Sequence, residues 1–305
     1  MIAIDLGSNT LRVLEYDCVR KCSTAQFEKI VKTADKLALT GVIDHTAIER
    51  VICAIKEAQE QIDFDSQEIV AVTTEAVRQA KNSNSTLLHI AEETGVKFCV
   101  ISGNEEARLT LLAAQERLKK LQYNTASFAL IDIGGGSTEI IFSCAKGYMS
   151  RSFPVGIVTI AQQYGDLDKI CQALPDKMLD MQIFCNETFA TRGEIDTFVA
   201  TAGTPTTVAA MKLGQTYATY DATQINGVSL KKEELDFYLE KLLSMSFEER
   251  EETVGTGRSD LIVAGILIFK QLYTILKSDI CIVIDDGLRE GVALDTCMKQ
   301  ASVTM

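Results

Sequence analysis

The sequence predicts an α/β protein of two lobes that repeat one structural plan. Two observations lead to this prediction: a strand–glycine turn–strand unit at the N-terminus recurs about 130 residues later, and strands alternate with helices between the two copies. The 305 residues suffice for two domains with separate cores. Apolar residues make up 47% and charged residues 24% of the chain, as in a soluble globular protein.

Each repeated unit has an apolar strand that ends at an aspartate, a glycine-containing turn, and an apolar return strand. The first unit comprises strand Ile2–Ile4, turn Asp5–Thr10 and strand Leu11–Tyr16, and the second comprises strand Phe128–Ile131, turn Asp132–Thr138 and strand Glu139–Phe142. Because the apolar flanks match on both sides of both turns, duplication is favoured over a chance similarity of two hairpins.

Apolar periodicity and cap residues predict the remaining elements. Helices are expected over Ala47–Gln61, Glu75–Lys81, Leu87–Glu93, Glu105–Leu121, Val155–Tyr164, Asp166–Phe184, Thr207–Leu213, Lys231–Leu243, Leu261–Leu276 and Arg289–Lys299, and further strands over Glu68–Thr73, Lys97–Ser102, Thr197–Ala202 and Cys281–Ile284. No low-complexity linker separates the lobes. We therefore expect the domain boundary inside or just after the Glu105–Leu121 helix, with lobes of about residues 1–120 and 121–287.

Several classes of protein are disfavoured by the sequence. The N-terminus lacks the basic region of a signal peptide, and the longest apolar run, Leu261–Phe269, is far shorter than the roughly 20 residues of a membrane span. Nine cysteines without a CxxC motif and only two histidines argue against a zinc site or a disulfide framework. We expect reduced thiols and a cytoplasmic location.

The net charge of −12 disfavours binding of nucleic acid through a broad basic face. The same charge would repel any other polyanion. A phosphate-rich substrate would therefore need local arginines, backbone amides or a divalent cation to hold it.

The two turns are candidate phosphate-binding loops. Glycine lets the backbone approach an anion and direct successive N–H groups toward it. A ligand-free tight hairpin remains an equal alternative for Asp5–Thr10, but folding alone explains poorly the three consecutive glycines of Gly134–Gly136. There is no GxxxxGK[ST] and neither turn opens a helix, so P-loop and dinucleotide-binding folds are disfavoured.

Duplicated strand–turn–strand loops, each opened by an aspartate, resemble those of the actin and sugar-kinase superfamily. Six segments also resemble the exopolyphosphatase and guanosine pentaphosphate phosphohydrolase family in that family's order: Asp5–Arg12, Thr74–Asn82, Ile101–Leu109, Asp132–Glu139, Ala202–Thr207 and Asp286–Gly291. These segments extend over nearly the whole chain. ISGNEEARL together with DIGGGSTE is the most specific part of the match.

This resemblance implies two actin-like, ribonuclease H-like lobes with an interlobe cleft, and a last helix in residues 288–305 that returns to the first lobe. It implies release of terminal orthophosphate from inorganic polyphosphate, or of the 5′ γ-phosphate from guanosine pentaphosphate, with Mg²⁺ or Mn²⁺. The guanosine substrate would connect the protein to the stringent response. The family is often dimeric, so a homodimer is possible.

The resemblance also implies roles for four acidic residues. Glu106 matches the family's catalytic base, although a glutamate in the first turn of a helix is also favoured by the helix dipole. Asp132 and Glu139 match acids that orient water or hold the metal ion, and Asp5 matches their counterpart in the first lobe. The alternative for Asp5 is that it caps the amides of its own turn.

Phosphate contacts are expected from both turns and from one arginine. The candidates are Gly7, Ser8, Asn9, Thr10, Arg78, Gly134, Gly135, Gly136, Ser137, Thr138 and Gly203. Arg78 matches a phosphate-contacting arginine, and a guanidinium suits bidentate phosphate binding. Arg12 and Arg108 are weaker candidates, because the first can lie on a solvent-exposed strand face and the second can form an ion pair along its helix.

The chain departs from the family pattern in three places. Thr159 stands where an arginine is usual in the segment Phe153–Ile160, which leaves a preference for long chains in doubt. The additional C-terminal helical region of the longer members is not part of this chain, so distributive action or short substrates are expected. Pro205 interrupts the usual run after Gly203, and we expect it at the first helical position.

Two further functions compete with phosphate hydrolysis. A catalytically weak polyphosphate or nucleotide sensor would keep the turns without the chemistry, but Glu106, Asp132 and Glu139 are all present. An ATP-dependent sugar kinase would need a sugar pocket and an aspartate base. The sequence does not separate polyphosphate from guanosine pentaphosphate, because both activities use the same motifs.

Overall fold

The computed structural model of the chain describes residues 1–303. The chain divides into two compact units: unit 1 is Met1–Ala113 together with the helix that begins at Leu288, and unit 2 is Ala114–Gly287. Each unit contains one β-sheet with helices packed on it. The predicted α/β class is confirmed.

Unit 1 is built on a five-stranded sheet. Its strands are β1 (Ile2–Leu6), β2 (Thr10–Asp17), β3 (Cys22–Ile30), β4 (Ile69–Thr73) and β5 (Phe98–Val100), and its helices are α1 (Leu37–Thr40), α2 (His45–Gln61), α3 (Glu75–Gln79), α4 (Ser83–Thr94), most of α5 (Gly103–Lys120) and α14 (Leu288–Val303). The strand order is β3-β2-β1-β4-β5, with β1, β4 and β5 parallel and β1, β2 and β3 an antiparallel meander.

Unit 2 is built on a six-stranded sheet. Its strands are β6 (Ser127–Ile133), β7 (Thr138–Cys144), β8 (Gly147–Phe153), β9 (Thr197–Thr201), β10 (Val228–Lys231) and β11 (Ile280–Val283). Its helices are α6 (Ile157–Tyr164), α7 (Leu167–Lys177), α8 (Leu179–Arg192), α9 (Gly203–Lys212), α10 (Ala222–Ile225), α11 (Lys232–Ser244), α12 (Phe247–Val254) and α13 (Leu261–Leu276), with a 3-10 turn at Tyr217–Thr219.

The two sheets repeat one topology. The unit 2 order is β8-β7-β6-β9-β11, with β10 added antiparallel at the edge, and the first five strands match β3-β2-β1-β4-β5 in order and direction. In both sheets the glycine turn joins the central strand to its antiparallel neighbour. The repeat that the two turns indicated therefore extends over each whole sheet.

The sequence patterns did not predict β3 or β8, the edge strands of the two antiparallel meanders. β3 and β8 are largely exposed or half-buried, so they lack the apolar alternation that indicates a strand. By contrast, β1 is buried along its full length. A polar edge strand also protects a sheet from pairing with another chain.

Helix α13 forms the centre of the unit 2 core. Its residues are mostly apolar, and most of its side chains are buried. Phe198 of β9 makes an edge-on ring contact with Tyr273 of α13, at a centroid distance of 4.9 Å. No helix within residues 1–303 is both long and apolar enough to span a membrane.

The expectation that all cysteines are reduced is wrong for one pair. Cys18, just after β2, and Cys297, in α14, form a disulfide across 279 residues of sequence. The spacing of cysteines carries no sign of this pair, because the contact arises only when α14 packs beside β2. The other seven cysteines are unpaired within the described part of the chain.

Two helix predictions are also corrected. Pro205 is the third residue of α9, two positions later than predicted; it is tolerated because the first-turn N–H groups have no intrahelical partner. The single helix predicted over Asp166–Phe184 is two helices, α7 and α8, which meet at Met178. Pro175 lies in the last turn of α7, where it lacks the N–H of an intrahelical hydrogen bond.

Candidate active site

The unit 1 turn is a closed four-residue loop between β1 and β2. Gly7 N–H donates to Thr10 O at 3.0 Å, and the Ser8 and Asn9 side chains are buried. Asp5, at the entrance of the turn, lies directly opposite Arg12 in the antiparallel register. Opposite residues of an antiparallel pair share a face of the sheet, so this carboxylate has a guanidinium as its cross-strand neighbour.

A segment after β3 supports this turn from one side. Three backbone N–H groups in residues 31–34 donate to the carbonyl oxygens of Ser8 and Asn9, at 2.8 to 2.9 Å. A planar trans peptide directs its C=O and N–H in opposite directions. The N–H groups of Asn9 and Thr10 therefore face away from the supporting segment, on the side of the candidate phosphate site.

The unit 2 turn is closed in the same way. Gly134 N–H donates to Ser137 O at 2.9 Å, which matches the Gly7–Thr10 bond of unit 1. Thr138 is fully buried, and its hydroxyl donates to Val155 O at 2.6 Å. The Thr138 hydroxyl hydrogen is thus used within the protein.

The unit 2 turn differs from the unit 1 turn in its flanking pair. Asp132 lies directly opposite Glu139 in the register of β6 and β7, so two carboxylates share one face. Glu139 is only 1% exposed, and its Oε1 accepts hydrogen bonds from the hydroxyls of Ser137 (2.8 Å) and Ser152 (2.6 Å). Like charges placed directly opposite each other destabilise a sheet, and a cation between them would offset that cost.

Two carboxylates suit Mg²⁺ better than they suit a metal ion whose ligands all come from the protein. Mg²⁺ is usually bound through one or two carboxylates and completes its octahedron with water and substrate phosphates. Within residues 1–303, no group of three or more His, Cys, Asp or Glu side chains is arranged to hold a metal ion. Asp132 and Glu139 are therefore the candidate ligands, and Asp5, which has Arg12 opposite it, is a weaker candidate.

Glu106 lies in the first turn of α5 in unit 1. Its backbone N–H donates to Ser102 O at 2.9 Å, which closes the first turn, and its side chain is buried. Arg78 is a basic neighbour of this carboxylate, since its Nη1 is 3.6 Å from Glu106 Oε2. The structure thus brings together two of the predicted site residues, a carboxylate and a guanidinium.

Arg78 is fixed by its surroundings. Its Nη1 donates to Ile101 O at 2.7 Å, its Nη2 donates to Glu75, and its side chain is about a quarter exposed. Residues of α3 and of the loop after β5 therefore set its direction. Part of its donor capacity is used within unit 1.

Glu105, the acidic neighbour of Glu106, has a different partner. Arg108 binds both oxygens of Glu105 at 2.8 and 2.9 Å, and its Nη1 donates to Asp295 of α14 at 2.9 Å. The hydrogen bond from Arg108 lowers the pKa of Glu105. Arg108 thus forms the helix ion pair that the sequence left open, and it links α5 to α14.

Gly203 begins α9, at the same sheet edge as the unit 2 turn, since β9 is parallel to β6 and Thr201 is in register with Asp132. Ala202 has φ +73°, a conformation that non-glycine residues seldom adopt. Such backbone conformations are concentrated at functional sites.

Sequence reasoning missed Arg258, which lies near Gly203. Its Nη2 is 4.0 Å from the position that a Cβ on Gly203 would take, and its guanidinium lies over the ring of Tyr217 at 5.8 Å. The carboxylate of Glu251 holds the loop by accepting from the N–H groups of Gly257 and Ser259. The available signal was the glycine-rich stretch 255–258 before an apolar helix.

Solved structures similar to the chain define its fold class. A crystal structure of the Aquifex aeolicus Ppx/GppA family member aligns with a TM-score of 0.74 and 28% identity, covering 98% of this chain and 97% of that one. A Cytophaga hutchinsonii exopolyphosphatase, at 20% identity and a TM-score of 0.84, shares the fold. The chain has the two-domain, actin-like ATPase fold.

The sequence profile of the Ppx/GppA phosphatase family matches residues 21–300. Exopolyphosphatase 1 of Mycobacterium leprae is 26% identical over 99% of this chain and 90% of its own length. The bifunctional 3-dehydroquinate synthase/phosphatase of Fusobacterium nucleatum is 23% identical, and the match covers 46% of that protein. The chain belongs to the Ppx/GppA phosphatase family, and its enzyme class is that of a phosphoanhydride hydrolase.

Proposed function

We propose that the protein releases terminal orthophosphate from inorganic polyphosphate, with Glu106 as the general base for the attacking water. The observation that carries the proposal is the pair Glu106–Arg78, a buried carboxylate 3.6 Å from a guanidinium at the start of α5. A carboxylate can take a proton from water, and a guanidinium can bind a phosphoryl oxygen. The mycobacterial relatives named exopolyphosphatase support polyphosphate as the substrate class.

The chemistry places few covalent demands on the protein. Phosphoryl transfer needs in-line positioning of the nucleophile and stabilisation of charge on the equatorial oxygens. Glu106 would orient and deprotonate water, and the turn amides and Arg78 would bind the phosphates. Mg²⁺ (or Mn²⁺) held by Asp132 and Glu139 would neutralise phosphate charge.

These residue roles also explain how a negatively charged protein can bind a polyanion. The protein carries a net charge of −12, so its overall field repels a polyanion. Backbone N–H groups carry partial positive charge without a basic surface. Amides, one arginine and a cation therefore suit a substrate that the surface as a whole would exclude.

The test is phosphate release from tripolyphosphate, long-chain polyphosphate, guanosine pentaphosphate and ATP, measured side by side with Mg²⁺ and with EDTA. We expect release from tripolyphosphate, loss with EDTA and recovery with added Mg²⁺. Release from guanosine pentaphosphate alone would indicate that this nucleotide, and not polyphosphate, is the substrate. Tight binding with no release from any of the four would favour a sensor.

Glu106→Gln is the decisive variant and Glu105→Gln is its matched control. Loss of a general base costs about 10²- to 10⁴-fold, so Glu106→Gln should lower kcat by that factor while circular dichroism stays unchanged. Glu105 binds Arg108 in a partly exposed ion pair, so Glu105→Gln should stay within a few-fold of wild type. Near-normal turnover by Glu106→Gln would remove Glu106 as the base.

A further inference from the structure

The segment that follows β8 begins α6 and has no role in the function proposed above. It contains Thr159, in the first turn of α6. The N-terminus of a helix exposes N–H groups that commonly bind anions. In this protein, three of those N–H groups donate to the glycine turn instead.

These hydrogen bonds fix the direction of the turn's peptide groups. Ile157 N–H donates to Gly134 O at 3.0 Å, and the N–H groups of Val158 and Thr159 donate to Gly135 O at 2.8 and 3.4 Å. The peptide bonds of the described chain are all trans. With their carbonyls directed at α6, these two peptides direct their own N–H groups away from it.

The consequence differs among the three glycines of the turn. The N–H groups of Gly135 and Gly136 belong to those two peptides, so they face away from α6 as a neighbouring pair. Gly134 N–H closes the turn by donating to Ser137 O. The turn thus presents two adjacent N–H groups, an arrangement that binds anionic oxygen.

Gly156 lets α6 come close enough to make these bonds. A Cβ at Gly156 would lie 2.5 Å from the carbonyl carbons of both Gly135 and Gly136, and nearer still to the Gly135 oxygen. The φ of Gly156 is −130°, which any residue can adopt. Close backbone contact, and not an unusual φ, is therefore what requires glycine here.

Thr159 holds Gly156 in place. Its hydroxyl accepts from Gly156 N–H and donates to Gly156 O, each at 2.9 Å. The Thr159 side chain therefore acts within the first turn of α6. A second hydrogen bond stabilises this segment: the Thr138 hydroxyl donates to the carbonyl of Val155, which precedes Gly156.

We infer that Gly156 and Thr159 are positioning residues for phosphate binding: they hold the first turn of α6 as a support that directs the Gly135 and Gly136 N–H groups at a phosphoryl oxygen. The inference rests on the proposed function for the identity of the ligand. It adds that this contact recognises the phosphoryl group itself, which polyphosphate and nucleotides share. A change in the support should therefore affect all substrates by the same factor.

The binding test uses inorganic tripolyphosphate with Mg²⁺ as the probe. In protein labelled with ¹⁵N-glycine, we expect the amide resonances of Gly135 and Gly136 to shift on titration, and that of Gly134 to move much less. An equal or larger shift at Gly134, or no shift at the other two, would overturn the inference. This readout does not need turnover, so it is separable from a failure of the proposed hydrolysis.

The kinetic test compares Gly156→Ala with Gly165→Ala, a control at the other end of α6. Loss of a positioned donor costs about 10²- to 10³-fold, so Gly156→Ala should lower kcat/KM by that order for every substrate. Gly165 has φ +63° and no atom near its Cβ position, so Gly165→Ala should lower thermal stability but keep kcat/KM. Equal kcat/KM for the two folded variants would contradict the inference.

The hydroxyl of Thr159 is tested by a conservative pair. Thr159→Val removes the two hydrogen bonds to Gly156 and should lower kcat/KM about tenfold. Thr159→Ser keeps the hydroxyl and should restore near-wild-type kcat/KM. If Thr159→Val and Thr159→Ser are equally active, the hydroxyl has no positioning role and that part of the inference fails.

Discussion

The glycine turns of unit 1 and unit 2 share a backbone plan and differ in their side chains. In both, the first glycine N–H closes the turn onto the residue three positions later, and a later segment binds the turn's carbonyls. In both, an aspartate is the last but one residue of the central strand. The residue opposite that aspartate is Arg12 in unit 1 and Glu139 in unit 2.

Under the proposed function, this difference would give the two turns different roles. The shared backbone would provide N–H groups for phosphate in either unit, whatever the side chains are. The cross-strand partner then sets the charge beside the loop: a carboxylate with a guanidinium in unit 1, and two carboxylates in unit 2. We therefore expect unit 2 to hold the cation and unit 1 to bind phosphate without one.

Among the variants that compare the two units, the largest effect should come from Glu139→Gln. It removes one of the two candidate metal ligands, and metal-assisted charge stabilisation contributes several kcal/mol, so we expect a loss of about 10³-fold in kcat/KM. The Mg²⁺ concentration for half-maximal activity should rise as well. Titration of phosphate release with Mg²⁺ measures both quantities, and an unchanged Mg²⁺ requirement would contradict the role of Glu139.

A smaller loss should follow Arg12→Gln at the equivalent position of unit 1. Arg12 forms an ion pair with Glu28, at 3.1 Å. It also lies opposite Asp5 in the register of β1 and β2. Loss of the Arg12 guanidinium should lower kcat/KM about tenfold, because one charge-assisted hydrogen bond contributes about that much. The Mg²⁺ requirement should stay unchanged. If both variants shift the Mg²⁺ requirement equally, the two turns do not differ as described.

A few-fold effect is expected from Arg50→Ala, which weakens the segment behind the unit 1 turn. Arg50 donates to the carbonyls of Val31 and Lys32, at 2.7 and 3.2 Å, and so orders the backbone that supports Ser8 and Asn9. We expect KM to rise more than kcat falls. Steady-state kinetics give the comparison, and an effect as large as that of Gly156→Ala would show that both supports matter equally.

The smallest effect on activity should come from the disulfide, which has no counterpart in unit 2 within the described residues. Cys297→Ser removes the covalent link between α14 and the end of β2, and a disulfide typically contributes about 2–4 kcal/mol to stability. We expect a lower melting temperature with kcat/KM unchanged. A reductant should lower the wild-type value in the same way and leave Cys297→Ser unaffected.

The central elements of the fold were predictable from sequence because they are buried. β1 and α13 carry apolar residues along their length, and the prediction of α13 as Leu261–Leu276 is confirmed residue for residue. The exposed edge strands β3 and β8 were missed, since polar residues give no periodic signal. Local sequence patterns therefore predict elements that are buried in a core. They miss edge strands, whose position is determined by pairing with a neighbouring strand.

The candidate site also has features that the sequence predicts and features that it does not. The turns were visible because consecutive glycines have a chemical meaning in sequence alone. Gly156 and Arg258 were not visible, because their roles depend on contacts with other segments of the chain. The difference between Arg12 and Glu139 was not visible either, because it depends on the register of the two hairpins. Thr159 was visible only as a departure from the family pattern, and its hydrogen bonds to Gly156 give that departure a physical role.

The most direct test of water attack at a terminal phosphate is hydrolysis of tripolyphosphate in ¹⁸O-enriched water, with mass spectrometry of the products. Attack on the terminal phosphorus forms one P–O bond to water oxygen and breaks the bridging P–O bond. The account predicts one ¹⁸O atom in orthophosphate and none in pyrophosphate, with both products lost in Glu106→Gln. Label in the pyrophosphate, or transfer of phosphate to an acceptor other than water, would contradict it.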